Sequence, residues 1–192
     1  MDVSEESAAA GAIAEVAATL GPPGVLVNNA GFAEAADIAQ MTTEQWNAVL
    51  GVVLNAPFYL TRAAVPHMIA AGWGRIVNIS SISALGDPGR VGYASGKAGL
   101  LGFTRTLATE LGQHGITCNA IGPGFVVSAM TERSARRLGH RVEEYQRLAA
   151  EQIPVGRVGQ PEDIARAVAF FTDEAAGFVT GQTLYVAGGP VG

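Results

Sequence analysis

Gly74-Arg75-Ile76-Val77-Asn78-Ile79-Ser80-Ser81, followed a short loop later by Tyr93-Ala94-Ser95-Gly96-Lys97, is the stretch on which the reading of this chain turns. The first part is a mainly apolar run that reads as a buried strand. Ser81 then stands where that strand ends, and open α/β sheets bind ligands at the carboxyl ends of their strands. The second part sets a phenol and an ammonium at positions i and i+4, which share one face of a helix. A hydroxyl, a phenol and a lysine that meet there form a proton-transfer site. A free tyrosine has a pKa near 10 and is a poor acid and base at neutral pH. A nearby cation favours the phenolate and lowers that value, and Lys97 is placed to be the cation. Ser81 can hold a substrate oxygen toward the phenol. Such a site gives a proton to a carbonyl as hydride arrives, or takes one from an alcohol as hydride leaves.

Tyr-x-x-x-Lys alone also occurs in ordinary helices as an exposed tyrosine and a solvated lysine. The neighbours set this example apart. Ala94, Ser95, Gly96, Ala98 and Gly99 are all small. Such a helix brings its backbone close to a neighbour or ligand, despite the helix cost of glycine.

The chain has 192 residues, enough for one domain with a sizeable core. Hydrophobic residues make up 48% and charged residues 15%, which excludes a disordered chain. The net charge is −5 and no basic stripe appears, which speaks against nucleic-acid binding. Cys118 is the single cysteine and reads as a buried structural thiol. No apolar run reaches membrane-spanning length and no signal peptide opens the chain, so a cytoplasmic protein with no membrane partner is expected. His67, His114 and His140 are scattered, and no metal site is expected.

Ser4 reads as the N-cap of a first helix that ends at Gly21-Pro22-Pro23-Gly24. Val25-Leu26-Val27 is a short buried strand. Thr42-x-x-Gln45 is a capping box that opens a long helix over 43–71, with Pro57 and Pro66 expected to kink or interrupt it. After the strand at 74–80 and the helix at 93–112, residues 115–121 form a third strand. Residues 130–152 read as irregular helix. Arg133, Arg136, Arg137, Arg141 and Arg147 are expected on a solvated face there, because Glu132, Glu143, Glu144 and Glu151 are interspersed. Pro161 opens a helix through Phe171, and residues 182–186 are a last strand. Strand and helix alternate, which predicts βαβ units and a parallel sheet.

Together these residues resemble the short-chain dehydrogenase/reductase family, especially its β-ketoacyl-carrier-protein reductase-like branch. The matching motifs are Asn28-Asn29-Ala30-Gly31, Asn78-Ile79-Ser80-Ser81, Tyr93-x-x-x-Lys97, Asn119-Ala120-x-x-Pro123-Gly124, Gly156-Arg157 with Pro161-Glu162, Thr180-Gly181-Gln182 and Gly188-Gly189. Each is weak alone; their order and spacing are specific, and they span nearly the whole chain. The resemblance implies a single α/β domain over residues 1–192, a Rossmann-like doubly wound parallel sheet. It implies NAD or NADP as cofactor, a small carbonyl or alcohol substrate and a homotetramer. The long helices carry apolar and small residues on more than one face, which also points to burial between subunits. By resemblance Tyr93 is the acid/base, Ser81 orients the carbonyl, and Lys97 lowers the tyrosine pKa and binds the nicotinamide ribose. Asn29, Ala30 and Gly31 match the stretch beside the adenosine ribose, Asp2 and Val3 the adenine contacts, and Pro123, Gly124, Val126 and Ser128 the nicotinamide-side loop.

The chain departs from the family pattern in several places. It begins where the family's third strand ends, so the first βαβ segment and its glycine-rich phosphate loop fall outside it. The expectation is a family enzyme whose sequence starts late, and weak dinucleotide binding by these residues alone. Val53 stands where many members carry a relay asparagine, and Asn55 faces away from it. Ser128 replaces threonine, and Ala187 precedes Gly188-Gly189 where aspartate is frequent. Ser81 and Tyr93 are twelve positions apart, which leaves Ser80 and Ser83 as alternatives to Ser81. The competing reading is a non-catalytic remnant that binds no dinucleotide; a nucleotide-sugar epimerase shares the Tyr-Lys pair but needs a longer C-terminal substrate domain. The substrate pocket is expected to draw on the loops at 83–92 and 128–152. The choice between NAD and NADP is not set by these residues.

Overall fold

The computed structural model describes residues 1–191. Four strands among them form one sheet in chain order: β1 (Val25–Asn28), β2 (Gly74–Ile79), β3 (Ile116–Pro123) and β4 (Thr183–Val186). All pairings are parallel, with Leu26 opposite Ile76, Ile76 opposite Cys118, and Ile121 opposite Leu184. Parallel neighbours need crossover connections, and helices supply them. α1 (Glu6–Leu20) precedes β1. α2 (Thr43–Leu50) and α3 (Ala56–Ala71) join β1 to β2, and α4 (Val91–Leu111) joins β2 to β3. α5 (Ala129–Arg137), α6 (Val142–Glu151) and α7 (Pro161–Thr172) lie between β3 and β4.

Strand alternation sorts the core into two layers. Leu26, Ile76, Ile116 and Cys118 face α1, α3 and α4 through Ile13, Ala64, Met68, Ala108 and Leu111. Val77, Ile79 and Ile121 face α7 through Ala167 and Phe171. Helices on both faces make this the doubly wound sheet that the alternation predicts. Cys118 is buried, and burial pushes its thiol up to about 12, as befits a structural residue.

Polar side chains pin the layers. Asn28 Nδ2 donates to Asn78 Oδ1 at 2.8 Å, and Asn78 Nδ2 donates to Thr104 Oγ1 at 2.9 Å, so one buried chain ties β1, β2 and α4. On the other face Arg75 is buried, with Trp73 under its guanidinium, and donates to four backbone carbonyls. These belong to Gly74, Gly115, Asp173 and Glu174. Arg75 thereby fastens the turn after α7 to the sheet.

Three local expectations change. α1 starts at Glu6 with no side-chain cap, because Ser4 instead donates its N–H and hydroxyl to Asp2 Oδ1, at 2.9 and 2.7 Å. The capping box at Thr42 and Gln45 is present, but the break in the long helix falls at Gly51–Asn55, a π-helical turn. Pro57 lies in the first turn of α3, where its missing N–H is tolerated, and Pro66 sits inside that helix. The run Thr43–Ala71 also does reach spanning length, with 29 residues and a mean hydropathy of 1.5 over its most apolar window. One side of it packs on α1, α4 and the sheet through Val49, Val53, Ala64 and Met68, while Phe58 and Ile69 stay exposed.

Replacing Arg75 by methionine should lower unfolding free energy by about 2–4 kcal/mol, because buried carbonyls lose their donor. Urea denaturation of the purified variant measures this, and an unchanged midpoint would show that water replaces the guanidinium.

Candidate active site

The carboxyl ends of three strands converge. Asn29 and Gly31 follow β1, Ser80 and Ser81 follow β2, and Pro123 and Gly124 end β3. They line a cleft of about 680 Å³ together with Tyr93 and Lys97 of α4 and with Val126 and Ser128 before α5. α7 closes one side with Pro161 and Ile164. The structure thus brings together nine of the twelve residues singled out from the sequence. Ala30 is exposed between two cleft residues without lining the cleft. Asp2 and Val3 lie before α1, where the Asp2 carboxylate accepts from Ser4.

Lys97 is 3% exposed, and its Nζ donates to the Ile79 carbonyl at 2.6 Å. Nζ lies 5.5 Å from the centre of the Tyr93 ring. Burial draws the ammonium down to about 8. Burial also raises the Tyr93 phenol above its ordinary value, and the forces opposing it are the Ser81 hydroxyl and the Arg90 charge. The sequence assigned the downward pull on Tyr93 to Lys97. In this arrangement burial outweighs the downward pulls, to which the Arg90 charge contributes. Arg90 belongs to no motif, so nothing in the sequence pointed to it.

The three serines have different engagements. Ser80 Oγ donates to the Lys97 carbonyl at 2.8 Å, and Ser83 Oγ donates to Asp87 Oδ2 at 2.7 Å. Ser81 Oγ accepts the Ser83 N–H at 3.0 Å, which leaves its own proton available to the cleft.

The small residues of α4 have a visible purpose. A Cβ added at Gly96 would fall 2.8 Å from Val53 Cγ1, so the helix lies directly on the π-helical turn. Val53 is fully buried and Asn55 exposed, as the spacing predicts. A second cavity of about 450 Å³ adjoins the cleft and shares Ser81, Tyr93 and Gly124 with it. Leu85, Asp87 and Arg90 come from the first expected loop, and Thr131, Ser134 and Tyr145 from the second. Phe125 was not foreseen; its ring lies 5.3 Å from that of Tyr145.

Comparison with known proteins agrees with this geometry. A family model described as enoyl-(acyl carrier protein) reductase matches residues 1–190. The chain belongs to the short-chain dehydrogenase/reductase family. Among curated relatives of this family, acetoacetyl-CoA reductase of Rhizobium meliloti is 44% identical over 190 residues, which cover 98% of this chain and 76% of the relative. The 3-oxoacyl-[acyl-carrier-protein] reductase FabG of Pseudomonas aeruginosa is 41% identical over 191 residues, covering 98% and 74%. Among solved short-chain dehydrogenase/reductase structures, ligand-free aldohexose dehydrogenase of Thermoplasma acidophilum superposes with a TM-score of 0.93 at 30% identity, covering 98% and 75%. A gluconate 5-dehydrogenase from Burkholderia cenocepacia, in complex with NADP and tartrate, gives 0.89 at 33%, covering 98% and 72%. As a member of this family the protein is an oxidoreductase acting between ketone and alcohol, and the non-catalytic reading finds no support.

Gly96→Ala should lower turnover and stability together, because the added methyl must move Val53 or shift α4 with Tyr93 and Lys97; overpacking of this kind costs about 1–3 kcal/mol. Adding Val53→Ala should restore part of both. A double-mutant cycle by thermal unfolding and steady-state assay measures the coupling, and strict additivity would place the contact elsewhere.

Proposed function

We propose that the protein is an NAD- or NADP-dependent reductase of 3-oxoacyl thioesters, working through Ser81, Tyr93 and Lys97 in one domain. The supporting observation is that Ser81 and Tyr93 line both cavities, so a ketone in the smaller one meets a nicotinamide in the larger. The thioester assignment draws on the acetoacetyl-CoA and 3-oxoacyl carrier-protein reductases among the relatives. The cleft fits the nicotinamide and ribose end of a dinucleotide. It is open along the ends of three strands, and at its floor a buried ammonium uses one hydrogen bond on Ile79, leaving two N–H groups for a ribose. Asn29, Ala30 and Gly31 would flank the adenosine side, with Asp2 and Val3 at the adenine. Pro123, Gly124, Val126 and Ser128 would flank the nicotinamide, which supplies or accepts the hydride when bound.

Ser81 donates a hydrogen bond from its hydroxyl to the substrate carbonyl oxygen and holds it toward Tyr93. Tyr93 gives its proton to that oxygen in reduction and takes it back in oxidation. Burial keeps the phenol protonated through neutral pH, which suits the reductive direction. Lys97 supplies the positive charge beside the developing oxyanion and anchors the ribose. The proposed form is a cytoplasmic homotetramer. Phe58 and Ile69 on α3, and Phe170 and Phe178 near the C-terminus, are exposed apolar side chains available for such contacts.

Tyr93→Phe should reduce acetoacetyl-CoA turnover by about a hundredfold or more without changing the melting temperature. Nicotinamide absorbance with each dinucleotide reads the rate, and a variant within a few-fold of wild type would refute the assignment. Because Lys97 loses its proton around 8, kcat/KM for reduction should be level below that pH and decline above it. A profile flat through about pH 10 would exclude a role for the Lys97 charge. Light scattering should report four copies; a monomer at micromolar concentration would overturn that part.

A further inference from the structure

A third cavity, which the proton-transfer chemistry leaves unused, lies beside the smaller one. It holds about 470 Å³ and is walled by residues 32–35 and by α5. Arg90, Arg133 and Arg137 line it against a single carboxylate, Glu34. The sequence predicted a solvated face for Arg133 and Arg137, and both are exposed. The interspersed acids pair with Arg136, Arg141 and Arg147, through Glu132, Glu143 and Glu151. Those acids leave Arg133 and Arg137 aside. Among the described residues neither they nor Glu34 forms an ion pair.

Arg133 and Arg137 sit at i and i+4 on α5, where like charges destabilise a helix. Arg137 gains from the C-terminal end of the helix dipole, but Arg133, in the middle, gains nothing comparable. Arg90 reaches Asp87 Oδ2 and Ser134 Oγ only at 3.4 Å each, loose enough to turn toward a ligand. A protein of net charge −5 therefore gathers three cations at one opening. That opening leads to the reacting groups, because the cavity shares Arg90, Met130 and Ser134 with the one that contains Ser81 and Tyr93. Guanidinium forks match carboxylate and phosphate oxygens alike.

We propose that Arg133 and Arg137, together with Arg90, form an anion subsite that takes the distal phosphate or carboxylate of the substrate while its carbonyl lies at Tyr93. The position of the reacting end rests on the Ser81–Tyr93 reading; the subsite itself does not.

The test titrates the purified chain calorimetrically with coenzyme A, which carries phosphates, and with glutarate, which carries carboxylates, in wild type and in Arg133→Gln/Arg137→Gln. Wild type should bind at least one of them, and the variant should bind it about tenfold or more weakly. The probe that responds identifies the anion. Binding of neither, or binding unchanged by the substitutions, overturns the proposal. Arg133→Lys/Arg137→Lys, which keeps the charge, should recover part of the affinity, and a urea midpoint equal to wild type shows that each variant is folded. In turnover, the glutamine variant should raise KM for an anionic ketone, acetoacetyl-CoA or acetoacetate, and leave that for ethyl acetoacetate, a neutral ketone, nearly unchanged. An equal rise for neutral and anionic ketones overturns the subsite. If wild type binds the anion but reduces neither class, the Ser81–Tyr93 reading fails and the subsite stands.

Discussion

Two hydrogen bonds made by one residue hold α4 to the end of β2. Lys97 donates from Nζ to the Ile79 carbonyl, and its own carbonyl accepts from Ser80 Oγ. Bonds in both directions fix the helix in height and rotation against the strand. Tyr93 lies one turn earlier on the same helix, and Ser81 one residue beyond that clamp. The distance from serine to phenol is thus set by backbone that cannot move independently. The Asn78–Thr104 bond repeats the strand-to-helix attachment two turns further along.

That clamp requires close approach, and close approach requires small residues. Gly96 faces Val53, and a Cβ at Gly99 would fall 3.1 Å from Leu54 Cδ2, so the middle of α4 rests on the π-helical turn with almost no room. A π-helical turn widens the helix by one residue, and it falls at the segment that α4 presses. Val53 makes the back of the site apolar, since it packs with Val49 and Tyr93 in one cluster. Among the described residues, the Lys97 ammonium makes its polar contact with the strand end in front of it.

The sheet was legible because its signals are local: apolar runs of strand length, separated by amphipathic stretches with caps and glycine stops. The convergence of Ser81, Tyr93, Lys97 and the strand-end residues was legible for the same reason, since a parallel sheet puts every strand's carboxyl end on one edge. What escaped the sequence depends on contact. Pro57 looked like the place where the long helix breaks, yet its position in a first turn makes it harmless, and the break falls where tertiary pressure acts. The direction of the Tyr93 pKa could not be read from i, i+4 spacing, because burial decides it. Arg133 and Arg137 read like their neighbours in composition; only their side of α5 separates them from the paired Arg136.

Burial pushes both groups of the pair toward their neutral forms, the ammonium downward and the phenol upward. The two shifts act on stability in opposite senses. Lys97 has a folded pKa of about 8 against an unfolded value of 10.5, so between these the unfolded chain binds more protons and stability rises with pH. Below about 8 the whole penalty of a buried charge is present. Tyr93, with its folded pKa raised, holds its proton after the unfolded chain has lost it, and its contribution disappears as pH climbs through the folded value. At neutral pH only the lysine weighs against the fold. An apolar residue at position 97 would relieve that charge, at the loss of the Ile79 bond. Lys97 thus clamps α4 to the end of β2 and, in the proposed mechanism, also supplies the charge beside Tyr93.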